Sequence, residues 1–463
     1  MDTTAADAID LIDKILDDQA GFLTQKDFDL LQRHRETCLE KVLPILLSQI
    51  TKVKNQENWN PNQLYGSAKL AAFFKASTVF DSLLQLSDFA DEVDPYRDSL
   101  FFMFCWGEIL ASTALERWPK IKPYIEDIEM PPEVRESCME ALLILVARNQ
   151  IDRMDLVTYL KQLYQELLSG ERTDPELALI LSEASAALGP EETLEDLREL
   201  FGLGYLETST MSMRDFLDFT EEGKKASLSD LKEWVDSFHI LSLCSSEEEL
   251  DLLELSDLEE EIDFLDEENL DSDDEYHLPD DLPILSAETE NFSESESTKY
   301  MSFPTLLEED PSLLIEIASK MIEDRPEVPS LFYYLHKALT LTNKNVQAKK
   351  ILQVWLQRFP NDLLGKTELA KYYLRRGEHD LAAAVFSHTW NLKALYPDRQ
   401  DFEDVELLQF FYCCGYYHVL TNDLEQAKKI LQILEDITPW SDECLQLDFL
   451  ISDYFFEELD SEL

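Results

Sequence analysis

Apolar residues along this chain recur every three or four positions and nowhere alternate for long. Helical spacing returns in Leu64, Ala68, Ala71, Ala72 and Phe74, in Leu142, Leu143, Leu145 and Val146, and in Leu177, Leu179, Ile180 and Ala184. No stretch carries the sustained two-residue alternation of a half-buried strand. Asp94-Pro95 and Asp174-Pro175 each put a capping carboxylate before a proline at the first helical position. Thr24-Gln-Lys-Asp27 and Ser227-Leu-Ser-Asp230 have the layout of capping boxes, with Asp in the reciprocal place. Helix pairs following one another at roughly 35–40 residues predict an all-α fold. A single pair cannot bury its apolar face alone, so neighbours must stack as helical-repeat solenoids.

The last third carries a second rhythm. Ala348 and Ala382 stand 34 residues apart, and apolar positions recur around each. The first unit has Phe332, Leu335, Leu339, Ala348, Leu352, Trp355 and Pro360; the second has Ala370, Tyr373, Gly377, Ala382 and Phe386, with Pro397 arriving late. A third has Phe411, Gly415, His418, Ala427, Leu431, Leu434 and Pro439. Ala427 follows Ala382 by 45 residues, so the second unit holds an insertion around DRQDFEDVEL. Small residues let helices cross closely, bulky ones fill the space between, and proline ends each second helix. Asp310-Pro311 opens a preceding helix, and Ser441–Leu459 is expected to cap the stack.

Charge divides the chain. Lys and Arg number 39 against 96 Asp and Glu, a net charge of −57. Residues 233–298 hold 25 of those acids and no Lys or Arg. Like charges at that density repel and the leucines are too sparse for a core, so a largely disordered acidic linker is expected. Glu247–Leu270 has leucines at helical spacing and could form a transient helix. The resulting division is a helical domain over 1–240, the linker over 241–305 and a second helical domain with a C-terminal capping helix over 306–463. The negative charge excludes general affinity for nucleic acid or anionic lipid. Apolar runs such as Leu100–Gly107 fall short of the ~20 residues that span a bilayer, so no membrane insertion is expected. The acidic N-terminus MDTTAADAID lacks the layout of a signal peptide, so a cytoplasmic protein is expected. Seven scattered cysteines fit buried thiols better than a disulfide framework. Eleven glycines, near 2% against a usual ~7%, favour long helices over glycine-rich phosphate loops.

Three resemblances follow from particular motifs. Pro131-Pro132-Glu-Val134-Arg135-Glu-Ser-Cys138-Met-Glu-Ala141-Leu142 resembles the HEAT-type signature, with Cys138 where alanine is usual. The blocks LYGSAKLAAFF, VRESCMEALLILV, IDRMDLVTYLKQLY, LGPEETLEDLRELFGLGYLE and MSMRDFLDFTEEGKKASLSDL, in that order from Leu64 to about Leu231, resemble an uncharacterised bacterial domain-of-unknown-function family with HEAT-like helices. Many members of that family end in a short Cys-rich zinc-binding segment that this chain lacks. The resemblance implies a fold and no established activity. Residues 306–463 resemble tetratricopeptide repeats, with His336 standing at a small-residue position of the first unit.

Catalytic patterns are sparse. Gly365-Lys366-Thr367 ends like a phosphate-binding loop, but Pro360 stands where its first glycine belongs and no strand precedes it. Gly202-Leu-Gly204 lacks the third glycine of a dinucleotide fingerprint and fits a helix-end turn. There is no His-Glu-x-x-His, Cys-x-x-Cys or Gly-x-Ser-x-Gly, and Cys413-Cys414 point apart on one helix. Asp271–Glu275 is carboxylate-dense, yet Tyr276 and Leu282 replace the glycine and glutamate of a calcium loop. No enzyme activity, metal or cofactor is therefore expected.

The tetratricopeptide resemblance implies that the first helix of each pair lines a concave face. Carried over by register, it places Tyr333 and Lys337, then Lys371 and Arg375, then Tyr412 and Tyr416 on that face. Cations beside aromatic rings suit an acidic peptide with apolar side chains. That segment would come from a partner or from the chain's own 247–275 stretch. The expected function is a non-enzymatic protein–protein adaptor binding peptide or protein partners on its concave surfaces. The alternatives are an acidic chaperone or escort for a secreted or basic client, drawn to the linker, and an enzyme whose site is assembled only in space.

Overall fold

The computed structural model describes residues 3–17, 19, 23–93, 101–206, 213, 216, 217, 227–229, 231, 232 and 292–461. Among these the regular structure is helical throughout, with no strand, so the all-α helical-repeat fold read from periodicity is the fold observed. None of the described helices is long and apolar enough to cross a membrane. The chain packs into two compact units. One draws on Met1–Leu160, Ile180–Glu192 and Phe219–Asp273, the other on Lys161–Leu179, Thr193–Asp218 and Asp274–Leu463. Lys161–Leu179 and Thr193–Asp218 precede residue 240, yet they belong with the C-terminal helices.

The first unit opens with α1 (Thr3–Leu16), α2 (Gln25–Arg33), α3 (Arg35–Lys54), α4 (Pro61–Phe73), α5 (Trp106–Ala114) and α6 (Pro132–Ala147). From α3 on, α3 packs on α4, α4 on α5 and α5 on α6. Asp27 accepts the Thr24 N–H at 2.8 Å, the reciprocal half of the capping box. Asn60 caps α4 by accepting the Gln63 N–H at 3.1 Å, with Pro61 at the first position. The motif Pro-Glu-Val-Arg does start a helix, α6. Its Arg135 is fully buried and donates Nε to the Ile125 carbonyl at 3.0 Å, stitching α6 to the preceding turn. The Glu140 side chain of α6 lies over Gly107 of α5, in the space a Cβ there would fill. Beside it Glu108 is held by Arg148 through two 2.8 Å hydrogen bonds. Burial, aided by the neighbouring Glu108 charge, pushes the Glu140 carboxyl up to about 8.

Helices α7 (Arg153–Ser169), α8 (Pro175–Leu188) and α9 (Leu194–Leu203) follow. Asp174 accepts the Leu177 N–H at 3.0 Å, the cap its Asp-Pro step predicts. Gly202-Leu-Gly204 is the helix-end turn expected of it, with Gly204 left-handed at φ +78°. Asp94-Pro95, Asp230 of the second capping box and residues 233–291 lie outside the described residues. With them go Cys244, the Glu247–Leu270 segment and the Asp271–Glu275 run.

The second unit continues with α10 (Glu294–Met301), α11 (Phe303–Glu309), α12 (Pro311–Asp324), α13 (Pro329–Leu341) and α14 (Asn345–Arg358). It ends with α15 (Leu363–Arg375), α16 (His379–Val385), α17 (Asp404–Leu420), α18 (Leu424–Ile437) and α19 (Asp442–Ser461). Folded structure thus begins before residue 306. Ser293 and Glu296 form a capping box, and Tyr300 and Phe303 are buried in one cluster with Leu314 and Ala318. Aromatic anchors outweigh the local negative charge there. Asp310 and Asp362 cap α12 and α15, accepting the Leu313 and Gly365 N–H groups at 2.9 and 2.8 Å. Ala348, Ala382 and Ala427 are buried where helices cross, as their recurrence requires. The second pair departs from its neighbours: α16 stops at Val385, because Ser387 and His388 both adopt positive φ, and one further turn forms at Leu392–Leu395. The inserted DRQDFEDVEL follows that further turn and runs into the start of α17. The six described cysteines are free and buried. Burial pushes the Cys38, Cys138 and Cys444 thiols up, and those of Cys413 and Cys414 up to about 12.

Candidate functional site

Positions four apart on a helix share one face, so Tyr333 with Lys337, Lys371 with Arg375 and Tyr412 with Tyr416 each present a pair. These pairs lie on α13, α15 and α17 of the second unit. The three helices bring them into one seam. Lys337 Nζ lies 5.8 Å from the Tyr333 ring centre, Lys371 Nζ lies 5.4 Å from that of Tyr412, and the Tyr412 and Tyr416 rings are 6.0 Å apart. The seam is more deeply buried than a solvent-facing repeat surface. Lys371, Tyr412 and Tyr416 are all buried, while Tyr333, Lys337 and Arg375 are half-buried.

A residue absent from the sequence-based set organises this seam. Glu368, 6% exposed, sits one turn before Lys371 on α15. It accepts from Lys337 at 3.2 Å and from Lys371 at 3.3 Å. Lys371 also donates to Gln409, which in turn donates to Glu443 on α19. Burial by itself would raise the Glu368 carboxyl, but the Lys337 and Lys371 ammonium groups hold it well below the usual carboxylate range. Burial lowers the Lys371 ammonium despite Glu368; at Lys337 burial acts the same way, but Glu368, Tyr333 and Glu443 together outweigh it and the proton is held more tightly. Two of the three anticipated cations therefore already share one carboxylate inside the fold.

Arg375 is the third, and it makes no ion pair among the described residues. It borders a cleft of about 60 Å³ lined also by His336, Lys337, Asn345, Glu368 and Tyr372. That space is large enough to take a carboxylate group. His336 Nδ1 and Asn345 Oδ1 are buried there without a hydrogen-bond partner. Burial pushes the His336 imidazole down to about 4, so it is neutral at pH 7. The chemistry on offer is a guanidinium, one free imidazole nitrogen and one free amide oxygen in a low-dielectric wall.

Next to the cleft stands a second polar cluster. Arg376, 8% exposed, donates to Glu199 and Glu195 of α9 at 2.7 Å each, and to Glu378 at 2.9 Å. Lys349 of α14 pairs with Glu199 and donates to the Tyr372 hydroxyl at 2.8 Å. The hydrogen bonds from Lys349 and Tyr372 overcome burial and hold the Glu199 carboxyl below its ordinary value. Sequence reasoning missed these groups because Glu195 and Glu199 precede Arg376 by more than 170 residues. The phosphate-loop-like Gly365-Lys366-Thr367 forms the first turn of α15, where Thr367 Oγ1 donates to the Leu364 carbonyl at 2.7 Å. No cluster of three or more His, Cys, Asp or Glu fit to hold a metal occurs among the described residues.

Residues 40–244 match the model of a family described as Protein of unknown function (DUF1186), which places an uncharacterised domain of that kind in the N-terminal half. No curated protein and no solved structure matches the chain.

Proposed function

We propose that the chain is a non-enzymatic adaptor of the cytoplasm, whose C-terminal helices are tetratricopeptide-like and hold an acidic segment of a protein partner. Arg375 is the observation that carries this reading. It is a cation without an ion pair among the described residues, set in a cleft the size of a carboxylate and beside buried polar atoms that lack partners. A guanidinium takes a carboxylate through two parallel hydrogen bonds, and a buried wall strengthens both. Half-buried Tyr333 and the open edge of the seam would meet the apolar side chains of such a segment.

The test uses a labelled peptide of residues 247–270 as an acidic-leucine probe and a chain lacking 245–298, so that the internal copy does not compete. Arg375→Glu is expected to weaken binding, read by fluorescence anisotropy, at least about tenfold, the equivalent of ~1.4 kcal/mol. Unchanged affinity in both Arg375→Glu and the Lys371→Glu/Arg375→Glu pair removes the groove assignment. A second reading, an acidic escort for a basic client, draws on the 25 acids without a base in 233–298. Salt separates the two. A charge-driven escort loses its client steeply between about 50 and 500 mM salt, whereas a desolvated Arg375 contact with aromatic neighbours does not.

A further inference from the structure

Part of the wall beside Arg375 comes from far earlier in the chain. Gly202 and Leu203, the last residues of α9, line the same cleft as Arg375, His336 and Glu368. The approach requires Gly202, and the left-handed turn after it favours Gly204. A Cβ on Gly202 would lie 2.7 Å from Tyr372 Cε2 and 2.9 Å from Arg376 Cγ, distances real side chains do not reach. A Cβ on Gly204 would come 3.3 Å from Arg375 Nη1, at a φ of +78° that L side chains rarely adopt. The Arg375 guanidinium therefore lies against the carboxyl end of α9, where unpaired carbonyls favour a cation. The rest of α9 is fastened by charge: Glu195 and Glu199 grip Arg376, and Glu199 also grips Lys349 and Tyr372.

From this geometry we infer that α9 is a working part of the binding cleft: Glu195, Glu199, Gly202 and Gly204 are positioning residues that set Arg375 for a carboxylate, so that seating of α9 and binding of an acidic segment strengthen each other. The inference rests on the reading of this unit as a holder of acidic segments, and adds that the site is composite. Residues within the family-matched stretch 40–244 complete a cleft that the helices after 292 do not close alone.

Reciprocity gives the claim its test. If α9 seating raises the affinity for a carboxylate ligand by some factor, the ligand stabilises the seating by the same factor. The full chain, and the chain lacking 245–298 as a second background, are titrated with the labelled 247–270 peptide. Amide hydrogen exchange is followed over 194–203 at the same time. Glu199→Lys, which sets a cation against Lys349 and Arg376, is expected to lower peptide affinity about tenfold with helical circular dichroism unchanged. Saturating peptide is expected to slow exchange of the 194–203 amides in the wild type and to leave it unchanged in Arg375→Glu. A helix with a merely structural part would not show that ligand-linked protection. Should Glu199→Lys lose its fold, Gly204→Ala replaces it, since it touches only the Arg375 side of α9 and is expected to weaken binding severalfold. The inference is overturned if a folded Glu199→Lys or Gly204→Ala binds as the wild type does while Arg375→Glu does not. It is equally overturned if bound peptide leaves the 194–203 amides unprotected. If Arg375→Glu also binds normally, the acidic-segment reading itself fails.

Discussion

Replacing Glu368 with glutamine keeps the shape of the side chain and removes one charge from the centre of the α13–α15–α17 seam. Two ammonium groups depend on that charge, Lys337 at 3.2 Å and Lys371 at 3.3 Å, and Lys371 is only 6% exposed. Breaking a buried ion pair by removing one partner costs about 3–5 kcal/mol, because the other charge stays behind unpaired. Lys337 keeps partial access to water, so most of that loss falls on Lys371. At ~2–4 °C per kcal/mol for a unit of this size, the melting temperature should drop by roughly 6–20 °C. The sign with pH is fixed as well. The folded carboxyl is depressed, so its contribution is present above the unfolded value near ~4.3 and disappears as pH falls through the lower folded value. Thermal unfolding monitored by circular dichroism at pH 7, repeated toward pH 3, with urea titration for the free energy, measures both effects. The Glu368→Gln/Lys371→Met double variant should recover at least about half the loss, since it removes the stranded ammonium together with its partner. A single variant within ~1 kcal/mol of wild type over pH 5–8 would refute the account of the seam.

Glu140, whose carboxyl burial and Glu108 push up to about 8, should behave in the opposite way: its contribution is complete below ~4.3 and is lost as pH rises through 8. Glu140→Gln is expected to be up to about 4–5 kcal/mol more stable than wild type at pH 8 and equal to it at pH 4; a difference that does not grow with pH contradicts the shift. His336, with its imidazole pushed down to about 4 by burial, favours the fold above ~6.5 and ceases to do so as pH falls toward 4. Thermal scans should show the wild type losing up to ~2 kcal/mol between pH 7 and 5, while His336→Phe gives a flatter profile; parallel curves would rule out a buried neutral His336.

Local signals carried most of the architecture. The Asp174-Pro175 and Asp310-Pro311 steps are caps in the structure, Pro132 opens α6, and the alanine-centred crossings at 348, 382 and 427 are buried. These features depend on neighbours within a turn or two, which is what periodicity and capping chemistry report. The break after α16 was less visible, because Ser387 and His388 adopt positive φ without a glycine to announce it. Phe292, Tyr300 and Phe303 were outvoted by the charge around them, although three aromatics in a dozen residues mark a packing segment. The candidate site was legible only as three helix faces. Register brought Lys371 and Arg375 to the seam, but it gave no sign that Glu368 neutralises one and leaves the other free. Glu368 lies three residues from Lys371, an intrahelical pairing open to inspection; Glu195 and Glu199 of α9 approach only through tertiary packing.

The six described cysteines lie inside helices or at their starts, two of them side by side on α17, and all are buried. A thiol reacts as its thiolate, and burial disfavours that form at Cys38, Cys138, Cys413, Cys414 and Cys444. An alkylating reagent can therefore attack them only during moments when the surrounding helices part. Labelling rates become local clocks: Cys138 times the opening of α6, Cys413 that of the α15–α17 packing, and Cys444 that of the final helix.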